Sequence, residues 1–151
     1  EGRGDSSVAL KLVLPSARAS FSWGLLGSVE FTDGAPAFRN AARQYLVGLA
    51  LNQQLDPANS AGMYLEDART GGRDAYTAAI NDSHALSSAW TVYAEAAWQR
   101  QPDRGSGLLA GAGLAWQLSS RVQLDAGFRH RLSGQVSDWW AGLGAAVYFG
   151  H

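Results

Sequence analysis

Charged and polar residues in the C-terminal half of the chain lie at spacings that could bring them together on one face of a sheet. The candidates are Tyr93, Glu95, Gln123, Asp125, Arg129 and Arg131. Between the segment of Glu95 and that of Asp125, Arg129 and Arg131 lies a segment with small residues, such as Gly111, on the same face. Because small side chains leave space above the middle segment, charged side chains on its two neighbours can pair across it. The pattern predicts either a charged constriction that shapes permeation or an ion-paired interior that holds the sheet together.

The serine and histidine residues form no catalytic spacing. His130 and Ser133 are one residue further apart than the His-x-Ser pair of outer-membrane lipid A deacylases. Ser83 and His84 are neighbours, so on a strand they point to opposite faces. Neither pair places a nucleophile beside a base. The chain has 3 His, none with a carboxylate at ligand spacing, so we expect no enzymatic activity, no metal site and no cofactor.

The candidate residues must be positioned by β-strands. The clearest strand pattern is in the last segment, residues 139–149, where side chains alternate strictly between two faces. One of its faces carries Trp139, Ala141, Leu143, Ala145, Val147 and Phe149. A strand that crosses a membrane needs about 9 to 11 residues with an apolar outer face. The segment therefore predicts a transmembrane strand. It closes on the aromatic Phe149, a feature that the assembly machinery of outer-membrane barrels recognises.

Eight further segments repeat the alternation. They are 7–14, 20–32, 41–55, 60–68, 75–86, 89–100, 107–118 and 121–132. Apolar side chains occupy one face and polar or small ones the other, which is typical of membrane barrels with a polar interior. Asp82 interrupts the apolar face of its segment, and a β-bulge near Asn81 is one way to accommodate it.

The connections predict an orientation. Short links at 56–59, 87–88 and 119–120 alternate with longer polar links at 33–40, 69–74, 101–106 and 133–138. Outer-membrane barrels have short periplasmic turns and long extracellular loops. Aromatic residues on the apolar face then form a girdle at each interface, with Trp90 and Trp116 beside short turns and Trp98, Trp139 and Tyr76 beside long loops.

Composition supports a single all-β domain over residues 1–151, with 1–6 as a polar lead-in. Hydrophobic residues make up 46%, yet no run reaches the roughly 18 apolar residues of a membrane helix. Cys 0 excludes a disulfide scaffold, and a net charge of -1 gives no basic face for nucleic acid. The predicted fold is an antiparallel up-and-down transmembrane β-barrel of 8 to 9 strands. If 7–14 crosses the membrane, the number of strands is nine. Bacterial barrels have an even number of strands, so we then expect further strands upstream. If 7–14 is instead a lead-in, the remaining eight strands form a complete small barrel.

Three segments carry a family resemblance: 87–95, 118–127 and 137–149. They contain Tyr-x-Glu at 93–95, Gln-Leu-Asp-x-Gly at 123–127 and Asp138 before the last strand. These features resemble the outer-membrane transporter family associated with the meta-pathway of phenol degradation. The resemblance implies a barrel in the outer membrane of a Gram-negative bacterium that passes small hydrophobic or aromatic compounds. Family members are longer, which agrees with a larger barrel of about 12 strands.

Two other interpretations stay open. One is a structural or lipid-modifying eight-stranded outer-membrane barrel. The other is a soluble lipocalin-like barrel whose apolar face surrounds a ligand, which alternation alone does not exclude. The aromatic girdles and the low charge of the other face favour the membrane, because a soluble exterior is rich in charged residues. We therefore expect outer-membrane lipid, the barrel assembly machinery and a small permeant as partners, and no nucleic acid.

Overall fold

Nine antiparallel β-strands form one sheet in the computed structural model, which describes residues 3–14 and 16–148. The strands are β1 Ser7–Leu14, β2 Phe21–Glu30, β3 Gln44–Gln54, β4 Asn59–Thr70, β5 Arg73–Ala85, β6 Trp90–Gln101, β7 Gly105–Ser119, β8 Val122–Gly134 and β9 Trp139–Val147. Each strand pairs with the next along the chain. The predicted strands are therefore confirmed as an all-β meander. Phe149, predicted to close the last strand, lies outside the described residues.

The pairing register sorts the side chains onto two faces. On the outer face Leu25, Leu49 and Leu65 lie side by side, in the same set as the tryptophans of β6 and β7. The inner face carries most of the polar side chains, among them Gln44, Tyr64, Glu66, Thr77, Asn81, Thr91, Tyr93, Glu95, Gln99, Gln123, Asp125, Arg129 and Arg131. The predicted assignment of polar and apolar residues to opposite faces is confirmed.

The sheet curls into a half-barrel with the polar face inside. Curvature crowds inner-face side chains, so Ala97 and Leu109 are each 5% exposed, whereas Val47 and Ile80 on the outer face are 66% and 62% exposed. In the part of the chain that the structure describes, no helix is long and apolar enough to cross a membrane.

The two edges of the described sheet, β1 and β9, each pair with a single neighbour. The prediction of a barrel is therefore met only as an open half-barrel. Strand directions alternate along the meander, so in a sheet of nine strands β1 and β9 run in the same direction. Antiparallel closure of this sheet takes an odd number of further strands.

Connections at the two ends of the sheet differ less in length than predicted. We call the end with the β2–β3, β4–β5, β6–β7 and β8–β9 connections the loop end, and the opposite end the turn end. Among the connections that the structure describes throughout, only the one between β2 and β3 is long. The predicted loop at 69–74 is a tight turn at Gly71 and Gly72, whose φ angles of 59° and 80° suit glycine. The predicted loop 101–106 shortens to 102–104, because strand pairing continues on both sides.

The predicted bulge near Asn81 is wrong. The register of β5 with both neighbouring strands is continuous there, and Asp82 stays on the outer face opposite Ala61 and Ala94. These small neighbours leave the Asp82 side chain exposed, so its carboxylate keeps contact with solvent without a bulge. The register shifts instead between β7 and β8, at Leu108/Leu109 and Gln117/Ser119.

Aromatic side chains lie at both ends of the outer face. Trp90 and Trp116 pair across β6 and β7 beside the turn end, with ring centroids 5.0 Å apart and planes inclined by 3°. Trp98, Trp139 and Tyr76 lie toward the loop end. A stacked pair of this kind adds about 0.5–1.5 kcal/mol beyond its buried area.

The long β2–β3 connection is tied to the segment before β1. Asp33 accepts hydrogen bonds from the Ser6 backbone N–H (2.8 Å) and hydroxyl (2.9 Å), and it pairs with Arg3 at 2.9 Å. Asp5 accepts hydrogen bonds from the backbone N–H groups of Gly34 and Asn40 at 2.8 and 2.7 Å. These contacts hold β1 against β2 at the loop end.

Acid is expected to loosen β1. The Ser6 backbone and hydroxyl hydrogen bonds, with the Arg3 charge, hold the pKa of Asp33 below its ordinary value of 3.8. A carboxylate with a depressed folded pKa contributes stability above the ordinary value, and this contribution disappears as pH falls through the folded pKa. In the native chain, hydrogen exchange of β1 amides, corrected for intrinsic rates, should therefore accelerate when the pH falls below 3.8. In Asp33→Asn the same exchange should already be faster at neutral pH.

The matched control is Asp103→Asn, which removes another exposed carboxylate paired with an arginine at the loop end. It should leave β1 exchange unchanged. Equal β1 exchange in Asp33→Asn and the native chain at neutral pH would show that this tether does not hold β1.

Candidate functional site

An ion pair on the inner face joins β6 to β8 across β7. Arg129 Nε lies 2.5 Å from Glu95 Oε1, and Arg129 Nη2 lies 3.0 Å from Glu95 Oε2. Gly111 of β7 lies in register with both residues. A Cβ atom at Gly111 would lie 2.9 Å from Glu95 Oε1 and 2.9 Å from Arg129 Cγ. The missing side chain thus leaves room for a two-bond contact, the strong form of a carboxylate–guanidinium pair.

An indole ring extends this pair toward β9. The Arg129 guanidinium lies over the Trp140 ring, 5.5 Å from its centroid. Trp140 in turn covers Gly142, where a Cβ atom would lie 2.5 Å from two ring carbons. The Glu95 side chain is 14% exposed and that of Arg129 is 38% exposed. The guanidinium is therefore held between a carboxylate and an aromatic face and keeps partial access to solvent.

Tyrosine side chains lie flat over other inner-face glycines. Tyr93 covers Gly113 and Gly127, where a Cβ atom would overlap the phenol. Tyr64 covers Gly48, where a Cβ atom would lie 2.7 Å from its hydroxyl, and this hydroxyl donates a 2.6 Å hydrogen bond to Glu66. The glycines let large side chains lie along the wall, so the concave space stays open.

A cavity of about 190 Å³ adjoins the ion pair at the loop end. Its lining combines apolar and polar groups from four strands and the β8–β9 connection: Gln99, Leu109, Arg129, Ser137, Trp139 and Trp140. A cavity of about 150 Å³ is enough to hold benzene. The size and the mixed lining suit a small molecule with an apolar ring and a polar substituent. A larger groove on the outer face, lined by Leu114, Phe128 and Leu143 among others, is shallow and apolar and lacks such groups.

Comparison with known proteins identifies the family. The family model described as "Putative MetA-pathway of phenol degradation" matches residues 1–149. The chain belongs to this family. The resemblance seen in the C-terminal segments is thereby confirmed and extends over nearly the whole chain. No curated protein and no solved structure matches it significantly.

In this member of the phenol-degradation family, the predicted inner-face charges do not form one network. The structure pairs Glu95 with Arg129 but places Arg131 opposite Leu109, where it pairs with Asp138 of the β8–β9 connection. Asp125 lies over β9 instead, and a Cβ atom at Gly144 would lie 2.5 Å from both of its carboxylate oxygens. Register explains the difference, because inner-face neighbours along a strand are about 6–7 Å apart and meet different cross-strand partners.

Two further inner-face side chains, the candidate Gln123 and also Glu30, lie away from the ion pair. Gln123 is opposite Gln117 near the turn end. Glu30, at the loop end of β2, accepts a 3.0 Å hydrogen bond from Asn40. Among the described residues no group of three His, Cys, Asp or Glu side chains converges on one point.

Sequence reasoning missed Trp140, Gln99 and Ser137 as components of the site. Trp140 and Gln99 occupy inner-face positions of their strands, so alternation contained the signal. Ser137 lies in a connection, where alternation predicts nothing about direction. Its place in the cavity lining depends on the path of that connection.

Proposed function

We propose that this protein belongs to the outer membrane, where its sheet lines a passive path for small solutes, including hydrophobic or aromatic compounds. The observation that carries the proposal is the division of the curved sheet into a polar, ion-paired concave face and an exposed apolar convex face. Membrane barrels with aqueous interiors have this division. No catalytic step forms part of the proposal.

The convex face supports a lipid environment. Large apolar side chains are exposed along it, including Leu143 at 89% and Val47 at 66%. In water, an apolar surface that runs the length of a sheet is an aggregation hazard, whereas lipid solvates it at no such cost. The stacked Trp90 and Trp116 at one end, and Trp98 at the other, suit the two interfaces of a bilayer.

The concave face supports a solute path. Its glycines keep Tyr64, Tyr93 and Trp140 flat against the wall, and its central charges, Glu95 and Arg129, neutralise each other. The 190 Å³ cavity beside Arg129 and Trp140 offers both an aromatic surface and hydrogen-bond donors. These features favour a small solute with an apolar ring over a highly charged one.

The decisive experiment refolds the chain in detergent and in liposomes. We expect migration in gels that depends on heating, β-sheet circular dichroism in lipid, and single-channel conductance. A heat-dependent band without conductance would favour a structural or lipid-modifying role. A chain that folds without lipid and does not partition into liposomes would contradict the membrane assignment.

A soluble ligand-binding sheet is the second candidate, favoured by the carboxylates Asp67 and Asp82 on the outer face. Fractionation of cells that express the chain separates the two. We expect the protein in the outer-membrane fraction, which also contains the barrel assembly machinery and lipid. Recovery in the soluble fraction would instead favour the lipocalin-like alternative.

A further inference from the structure

The β8–β9 connection, residues 135–138, folds over the concave face. Val136 is 4% exposed and packs against Ala97 of β6 and Leu109 of β7, with Ala79 of β5 beside them. All three partners are inner-face residues. The connection therefore reaches back across β7 and β6 instead of extending away from the sheet. By contrast, residues 102–104 of the neighbouring β6–β7 connection are exposed.

Polar contacts hold this connection in place. The Gln135 backbone N–H donates a 3.0 Å hydrogen bond to the Ser106 carbonyl at the start of β7. Arg131 Nη1 donates a 3.2 Å hydrogen bond to the Val136 carbonyl, and the same guanidinium pairs with Asp138. The Arg131 backbone N–H also donates to the Asp138 carbonyl at 2.8 Å. Arg131 is thus the main anchor of the inward path.

Glycines allow the close approach. Gly134 has a φ angle of 79°, which lets the chain reverse where β8 ends. At Gly107 a Cβ atom would lie 2.8 Å from one methyl carbon of Val136 and 3.1 Å from the other. A side chain at either position would push the connection away from the wall.

We propose that residues 135–138 are a constriction segment, which narrows the concave path at the loop end and limits the size of the solute that passes. The inference rests on the proposed function as a solute path. Ser137 of the segment and Arg129 of the wall line the same 190 Å³ cavity. A connection that folds into a barrel reduces the open cross-section, since it occupies space otherwise filled with water. The selective part of the path therefore includes a connection as well as strand residues.

The test compares native protein with Val136→Asp and Arg131→Gln in liposome-swelling and single-channel measurements. A carboxylate at residue 136 cannot pack on Ala97 and Leu109 without a partner, so the segment should leave the wall. The Arg131→Gln change removes the ion pair and weakens the hold on the Val136 carbonyl. Both variants should lose exclusion of large oligosaccharides and conduct more than native protein.

The matched control is Arg73→Gln. It also breaks an arginine–aspartate pair at the loop end, with Asp103, but leaves the β8–β9 connection untouched. Arg73→Gln should keep native size exclusion. If both Arg131→Gln and Val136→Asp fold and keep native size exclusion, the proposal of a constriction segment is wrong, although the proposed channel stands. If Val136→Asp does not fold, the result for Arg131→Gln alone decides. Absence of conductance in the native protein would overturn the proposed function itself.

Discussion

Glu95→Ala is expected to lower the free energy of unfolding and to change ion selectivity together. The substitution leaves the half-buried Arg129 guanidinium without the carboxylate that accepts its two hydrogen bonds. Leaving a partly buried charge without its partner costs about 1–3 kcal/mol, less than a fully buried pair because Arg129 keeps solvent access. Denaturant titration of the refolded protein measures this loss.

The change in selectivity has an electrostatic origin. Without the Glu95 carboxylate, the concave face beside Arg129 carries an uncompensated positive charge. The proposed channel should then favour anions more than native protein does, and reversal potentials in a salt gradient measure the shift. The effect should weaken at high ionic strength, because mobile ions screen the charge.

Controls separate a permeation role from a structural one. Glu30→Ala removes an inner-face carboxylate that contacts Asn40 at the loop end of β2, and it should leave both readouts near native. The exchanged pair Glu95→Arg with Arg129→Glu should recover part of the lost stability. Reduced heat stability with unchanged selectivity in Glu95→Ala would show that the ion pair only holds the sheet together.

Gly113→Val should destabilise the sheet strongly. A Cβ atom at residue 113 overlaps the Tyr93 phenol and lies 2.6 Å from the Ala126 carbonyl oxygen of β8. The ring can rotate away, but the paired backbone cannot, so the strands must separate locally. Overpacking of this kind costs typically about 1–3 kcal/mol. The measurement is denaturant titration in the same detergent as the native protein.

The partner substitutions test the cause. Gly113→Ala should cost less than valine, and Tyr93→Ala in the same chain should recover only part of the loss, because the clash with the Ala126 oxygen persists. At Gly27, on the outer face of β2, a Cβ atom would meet nothing within 4 Å. Gly27→Ala should therefore be neutral, or stabilising by about 0.4–1 kcal/mol through the unfolded state. Equal effects at Gly113 and Gly27 would contradict the proposed packing of Tyr93.

The alternation of residue types predicted the strands because it is a local property. A segment such as 121–132 contains its own division into an apolar and a polar face, whichever strand it pairs with. The same reasoning placed Glu95 and Arg129 on one face, with the small Gly111 between them. Turn positions were less predictable, since Gly71 and Gly72 close a hairpin that charge content assigned to a long loop.

By itself, the sequence determined the all-β class, the two faces of each strand and the set of side chains available to the interior. Only the tertiary structure decided which of them meet. Glu95 and Arg129 are 34 residues apart, and their contact depends on the register of β6, β7 and β8 together. The inward path of the connection at Val136 likewise depends on contacts with Ala97 of β6 and Leu109 of β7, which are distant in the sequence. Alternation has a period of two residues and repeats in every segment, whereas register and the paths of connections arise from contacts between distant segments.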